Sequence, residues 1–141
     1  MSGAVVNHVG LCVADLGVAR RFYEELFGFA FERQLEVPDE PADQLLQIQA
    51  PLGLTAVYLK LGGFVLELIE FARPGNPPAR TRVMNEPGLT HLSMGAEDVA
   101  AVVERVTEYG GSVVEGTNLG AAVFIRDPDG QLIEVLQSRR R

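Results

Sequence analysis

The segment HVGLCVAD at residues 8–15 returns as HLSMGAED at residues 91–98, 83 positions later in a chain of 141 residues. The repeat continues past these segments, because Gly28 recurs at the same offset as Gly111. An internal repeat of this kind predicts that the chain contains two copies of one supersecondary unit.

Each copy begins with a strand of alternating polarity, predicted over 4–13 and 89–96, and continues as a helix. Asp15 and Asp98 stand where a carboxylate can accept the first free N–H groups of each helix. The apolar stripe of the first helix consists of Val18, Ala19, Phe22, Tyr23 and Leu26, and that of the second consists of Val99, Val102, Val103 and Val106. Glycines at 28 and at 110–111 are predicted to end the helices.

Three strand-like runs follow the helix in both copies. They are FAFERQLEV, LTAVYLKL and FVLELIEF in the first copy, and SVVEGT, AAVFIR and QLIEVLQ in the second. Gly62-Gly63 and Asp127-Pro128-Asp129-Gly130 are predicted turns between the last two runs. The pattern therefore predicts an α+β fold of two βαβββ modules, residues 1–71 and 89–141, with a linker over 72–88 that is rich in proline and glycine. The proline-containing loop over 38–53 occurs only in the first copy and is a candidate lid or substrate wall.

The composition excludes several classes of partner. The net charge is −7, with 12 basic residues against 19 acidic ones, so no basic surface for nucleic acid is expected. No segment approaches the roughly 18 apolar residues that a membrane span requires. The only cysteine, Cys12, excludes an internal disulfide and is compatible with a reducing compartment. We therefore expect a soluble, cytoplasmic protein that binds neither nucleic acid nor a membrane.

Strand parity separates the side chains available for chemistry from those of the core. In the first strand His8 shares a face with Gly10 and Cys12, opposite the valine and leucine face expected under the helix. His91 occupies the same place in the second copy. Glu67 and Glu134 lie mid-strand in the last strand of each copy, and parity places Glu70 on the face opposite Glu67.

Each of these residues alone is more often an ordinary strand side chain than a ligand. The metal hypothesis rests on the fact that the only two histidines occupy equivalent repeat positions and that each copy offers a mid-strand glutamate. The predicted metal ligands are His8, Glu67, His91 and Glu134. Two imidazoles and two carboxylates suit one divalent transition metal, Zn²⁺, Ni²⁺, Co²⁺, Mn²⁺ or Fe²⁺, better than Mg²⁺ or Ca²⁺. Cys12 and Ser93 lack a free histidine base and are not predicted nucleophiles.

Four blocks of the chain resemble the vicinal oxygen chelate superfamily, which includes glyoxalase I, methylmalonyl-CoA epimerase, extradiol dioxygenases and bleomycin-resistance proteins. These blocks are HVGLCVADL with FYEELFGF, VLELIEF, GLTHLSMGAEDV and FIRDPDGQLIEVL. The resemblance implies paired βαβββ modules whose sheets face each other around a metal cleft, commonly in a homodimer. It also implies the same four ligands, with Glu134 and Glu67 as the proton-transferring carboxylates.

The resemblance favours the glyoxalase I and methylmalonyl-CoA epimerase branch. The chain departs from the glutathione site of glyoxalase I, because Cys12 and Phe71 stand where that enzyme has arginine and asparagine. It departs from the epimerase because Thr90 precedes His91, where that family usually has a second histidine. We therefore hypothesise that the chain is a lyase or isomerase that acts on a small α-oxygenated carbonyl compound through a metal-stabilised enolate or enediolate. The alternative is a non-catalytic protein of the same fold that binds or sequesters a small molecule.

Overall fold

A computed structural model of the protein describes residues 2–139. The chain divides into two compact units, Met1–Pro77 and Pro78–Arg141, and the division falls inside the predicted linker. None of the helices within residues 2–139 is long and apolar enough to cross a membrane.

The first unit contains a four-stranded sheet in the order β1-β4-β3-β2. Its strands are β1 (Val9–Cys12), β2 (Ala30–Val37), β3 (Leu54–Leu61) and β4 (Phe64–Phe71). β1 pairs with β4 in parallel, and the other two pairings are antiparallel. Helix α1 (Leu16–Arg21) continues as a π-helical turn over Phe22–Leu26 and connects β1 to β2.

The second unit repeats this topology in its sheet, whose strand order is β5-β8-β7-β6. Its strands are β5 (Leu92–Ala96), β6 (Ser112–Val113), β7 (Ala122–Arg126) and β8 (Leu132–Gln137). Helix α3 (Val99–Arg105), followed by a 3-10 turn over Val106–Tyr109, connects β5 to β6, and β5 pairs with β8 in parallel. The predicted α+β class with tandem βαβββ modules is confirmed.

The starts of both helices and the turns agree with the sequence pattern. Asp15 accepts a hydrogen bond from the Val18 N–H at 3.0 Å, and Asp98 accepts one from the Ala101 N–H at 3.0 Å. Phe22 and Tyr23 of the predicted stripe are fully buried, whereas Val18 is 42% exposed, so its assignment to the stripe was wrong. The helix widens into a π-turn after Arg21, which shifts its inward face, and Val18 falls outside that face.

Three predicted strands are shorter in the structure. The first begins at Val9 instead of residue 4. Val9 pairs with Leu66, and the partner strand β4 has only two residues before Leu66, because it begins at Phe64, directly after the Gly62-Gly63 turn. For the same reason β5 begins at Leu92 instead of residue 89. The predicted run over 112–117 pairs only at Ser112–Val113 before the chain turns at Gly116, whose φ is +81°.

The loop present only in the first copy contains a helix, α2 (Asp39–Leu46), that the sequence analysis did not predict. Ala42 of α2 packs with Leu52, Leu54 and Phe71, and partly buried Ile69 borders this cluster. Leu54, Ile69 and Phe71 share the strand face of Glu67 by alternation and register. Helix α2 is therefore attached to one end of the sheet face that carries the predicted site.

We expect Asp15→Ala to lower the free energy of unfolding by about 1 kcal/mol, because the variant leaves the Val18 N–H without its side-chain acceptor. Asp98→Ala should cost a similar amount, since the cap geometry is the same in both copies. Urea unfolding followed by circular dichroism measures both values. Glu104→Gln on the exposed side of α3 is the control and should stay within about 0.5 kcal/mol of the wild type; an equal loss there would contradict the capping role.

Candidate metal centre

His8 and Glu67 meet in the first unit. His8 precedes β1 directly, and Glu67 in the middle of β4 pairs in register with Gly10, two residues after His8. The Nε2 atom of His8 lies 3.4 Å from Oε1 of Glu67, and the two side chains are 31% and 17% exposed. The neighbouring Leu66 and Leu68 are fully buried on the opposite face. The parity predicted for this strand is thus observed.

Tyr58 holds the second oxygen of the Glu67 carboxylate. The two residues are register partners on β3 and β4, and the Tyr58 hydroxyl donates to Oε2 of Glu67 at 2.6 Å. The guanidinium of Arg33 stacks over the Tyr58 ring at 4.3 Å, and the ring of His8 meets it edge-on at 5.6 Å. The hydrogen bond to Glu67, aided by burial, raises the pKa of Tyr58, so this phenol stays a proton donor at neutral pH.

His91 and Glu134 form the corresponding pair in the second unit. Nε2 of His91 lies 3.9 Å from Oε1 of Glu134, and the side chains are 27% and 28% exposed. The Ser93 hydroxyl donates to the same Oε1 atom at 2.8 Å. Phe124, the register partner of Glu134 on β7, meets the His91 ring edge-on at 5.4 Å. Ser93 and His91 thus provide the Glu134 carboxylate with polar partners.

Both histidine rings are held from the far side by the residue that precedes them. Nδ1 of His8 lies 2.9 Å from Oδ1 of Asn7, and Nδ1 of His91 lies 2.8 Å from Oγ1 of Thr90. An imidazole that donates its Nδ1 proton presents the Nε2 lone pair for ligation. Asn7 and Thr90 are functional candidates that the sequence analysis missed, although their shared 83-residue offset is visible in the sequence.

The two pairs fit a transition metal by donor chemistry and by separation. Two donor atoms that each lie about 2.1 Å from one ion stand about 3.0–3.4 Å apart at the usual coordination angles. The 3.4 Å pair meets this condition, and the 3.9 Å pair would have to close by about 0.5 Å to meet it. Within residues 2–139 no group of three or more His, Cys, Asp or Glu side chains is placed to hold a metal ion. Each unit by itself thus brings together two of the four predicted ligands.

Glu70 has a structural role. Its carboxylate accepts a hydrogen bond from the N–H of Leu16, the first residue of α1, at 2.9 Å. This contact places Glu70 on the helix side of the sheet, opposite Glu67, as the parity predicted. Of the two neighbouring glutamates on β4, only Glu67 is available to the site.

Two positions where the resemblance implied glutathione contacts differ in accessibility. Cys12 is exposed at the end of β1, and its thiol accepts a hydrogen bond from the Asn76 amide at 3.6 Å. Phe71 is only 8% exposed and packs in the cluster under α2. A pocket of about 580 Å³ lies beside this cluster, and its lining includes Pro38, Gly53 and Arg73. The pocket is at the α2 end of the sheet and does not include His8 or Glu67.

Residues 5–135 match the glyoxalase/bleomycin resistance protein/dioxygenase superfamily. The chain belongs to this superfamily. The family predicted from the motifs is therefore confirmed.

Two curated members of the superfamily resemble the chain over most of its length. Lactoylglutathione lyase of Arabidopsis thaliana is 30% identical over 135 residues, which is 92% of this chain and 43% of the plant protein. The chain thus spans less than half of that relative. Human mitochondrial methylmalonyl-CoA epimerase is 25% identical over 141 residues, which is 94% of this chain and 73% of the epimerase.

Among solved structures, the trypanothione-dependent glyoxalase I of Leishmania major superposes with a TM-score of 0.68 at 25% identity. The match covers 92% of this chain and 84% of that chain. The likeness confirms the tandem βαβββ fold of the superfamily.

We expect Asn7→Ala to shift the proton of the His8 ring away from Nδ1, because the variant lacks the oxygen that accepts it. Long-range ¹H–¹⁵N correlation spectra of alkaline samples should show a larger share of the Nε2–H tautomer in the variant. Gln34→Ala, which removes an exposed amide bonded to Glu36, is the control. An unchanged tautomer ratio in Asn7→Ala would show that Asn7 does not orient the ring.

Proposed function

We propose that the protein is a metal-dependent lyase or isomerase that acts on a small α-oxygenated carbonyl compound. His8 and Glu67 of the first unit and His91 and Glu134 of the second would bind the same divalent transition metal, within one chain or across a homodimer. The observation that carries the proposal is the recurrence of one histidine–glutamate pair in both repeats, with the preceding residue contacting Nδ1 of the histidine in each.

The surroundings of the two carboxylates support different roles for them. Oε2 of Glu67 accepts the Tyr58 phenol while Oε1 faces His8, so both oxygens are engaged. In Glu134 the Ser93 hydroxyl and His91 both approach Oε1, and Oε2 accepts no hydrogen bond from residues 2–139. We therefore assign Glu67 as a fixed ligand and Glu134 as ligand and general base.

The reaction class follows from these roles. Glu134 would remove a proton from the carbon next to the substrate carbonyl and return it at the same or the neighbouring carbon. The metal would supply a positive charge next to the substrate oxygens, on which negative charge develops as the proton leaves. His8 and His91, held through Nδ1, would keep the site in place as the proton moves.

The substrate is a small carbonyl compound whose thiol adduct, where it has one, differs from that of glutathione. Phe71 is enclosed by the α2 cluster and has no hydrogen-bonding group for a peptide. Cys12 offers a thiol where a peptide carboxylate would require a cation. The segment around α2 would form the wall of the substrate site, at the end of the face that carries Glu67.

Metal content tests whether the two pairs act as one site. Elemental analysis of protein purified without chelator should give close to one transition metal for each set of four ligands. His91→Ala should sharply lower the metal content, because it removes one of the two imidazole donors and leaves Glu134 as the single ligand from the second unit. Cys12→Ala is the control: it removes the thiol at the end of β1, which is not a predicted ligand, and the variant should keep its metal. An unchanged metal content in His91→Ala, or one ion for each pair, would contradict the four-ligand site.

Isotope exchange tests the reaction. In D₂O, NMR should detect solvent deuterium entering one member of a panel of hemithioacetals, acyl-CoA thioesters and α-hydroxy ketones. Glu134→Gln should slow this exchange by about 100-fold or more, since the amide cannot accept the substrate proton.

Glu70→Gln is the matched control for this exchange, because it changes a carboxylate on the opposite face of β4 and its amide oxygen can still accept the Leu16 N–H. Exchange at the wild-type rate in Glu134→Gln would contradict the assignment of Glu134 as the general base. Binding of panel members without exchange, with or without metal, would instead support the non-catalytic binding protein.

A further inference from the structure

The two repeats provide a hydroxyl to their carboxylates from opposite neighbouring strands. In the first unit the row across the sheet is Gly10, Glu67 and Tyr58. In the second unit the row is Ser93, Glu134 and Phe124. The donor in the first row is the aromatic residue on the antiparallel neighbour, and the donor in the second row is the residue on the parallel neighbour.

In each repeat the second neighbour of the glutamate has no hydroxyl: Gly10 stands where the other repeat has Ser93, and Phe124 stands where the other repeat has Tyr58. Gly10 has no side chain, and a Cβ added there would lie 3.3 Å from Oε1 of Glu67. Phe124 retains the edge-on contact with its histidine that Tyr58 makes, but it has no phenol. Each carboxylate therefore receives one neutral donor, although the repeats do not share the residue that supplies it.

A neutral donor restrains a carboxylate without neutralising it. A cation in this place would compete with the metal for the carboxylate charge, whereas a hydroxyl fixes one oxygen and leaves the negative charge on the group. The Tyr58 ring is itself contacted by Arg33 and by His8, which restrict the direction from which its phenol approaches Glu67. Such preorganisation removes part of the entropy cost of ordering a glutamate at a metal.

We propose that Tyr58 and Ser93 are the positioning residues of the metal site, one in each repeat. Gly10 and Phe124 occupy the corresponding positions that do not have this role, Gly10 in the first repeat and Phe124 in the second. The inference rests on the proposed function, because it concerns ligands of the proposed metal. It assigns roles to residues outside the ligand set.

The first step of the test removes each hydroxyl and keeps the rest of the side chain. Tyr58→Phe and Ser93→Ala should each weaken Zn²⁺ binding by about 10- to 100-fold, the usual effect of losing a hydrogen bond to a ligand. Competition with a chromophoric chelator measures the affinity. Tyr109→Phe is the control, because it removes a phenol that accepts a hydrogen bond from Arg105 in the second unit, and it should bind Zn²⁺ like the wild type.

The second step moves the hydroxyl to the other strand. Gly10→Ser added to Tyr58→Phe should recover Zn²⁺ affinity, because it gives the first repeat the arrangement of the second. Phe124→Tyr added to Ser93→Ala is the reciprocal exchange. Recovery in either pair supports the proposal, and two folded double variants that both fail to recover would overturn it.

A spectroscopic readout separates positioning from general stability. At saturating Co²⁺ the visible absorption of Tyr58→Phe should differ from that of the wild type. The variant lacks the hydrogen bond to Oε2 of Glu67, so the carboxylate is no longer fixed in its orientation toward the ion. A purely structural role would lower the melting temperature and leave the saturated spectrum unchanged, and that result would overturn the proposal. A wild type that binds no transition metal would refute the proposed function and this inference together, whereas normal binding by Tyr58→Phe and Ser93→Ala would refute only the inference.

Discussion

In each unit the first strand pairs in parallel with the last, and this pairing brings a histidine next to a glutamate that is more than 40 residues away. A parallel pair cannot be closed by a tight turn, so the chain has to cross over through a helix before it returns. The register then places Glu67 beside Gly10 and Glu134 beside Ser93. The connecting helix and the histidine–glutamate pair of each unit depend on this one pairing.

The two histidine–glutamate pairs have similar surroundings but differ in detail. Each histidine is held by its preceding residue and faces an aromatic ring edge-on. The carboxylates differ, because Glu67 has both oxygens engaged and Glu134 has one oxygen without a hydrogen bond from residues 2–139. A repeat in which the two copies take different tasks suits chemistry that requires a fixed ligand and a carboxylate free to accept a proton.

The segment that distinguishes the first copy packs on the strand face that carries Glu67. Helix α2 packs its Ala42 against Leu54 and Phe71, at the end of the face that carries Glu67. This packing uses Phe71 as a core residue, so the position cannot also hydrogen-bond a peptide. The same fold can carry different chemistries, and α2 lies beside a pocket lined by Pro38, Gly53 and Arg73 in the first unit.

The sequence by itself determined the repeat, the α+β class, the helix starts and the face of each strand, because these depend on spacing within short segments. Asp15 caps its helix, and Glu67 and Glu70 lie on opposite faces, as the pattern predicted. Only the tertiary structure decided where strands begin, that the first-copy loop contains a helix, and that Tyr58 and Ser93 donate to the carboxylates. A strand extends only as far as its partner, and a cross-strand hydrogen bond depends on the register between distant segments, which no local period encodes.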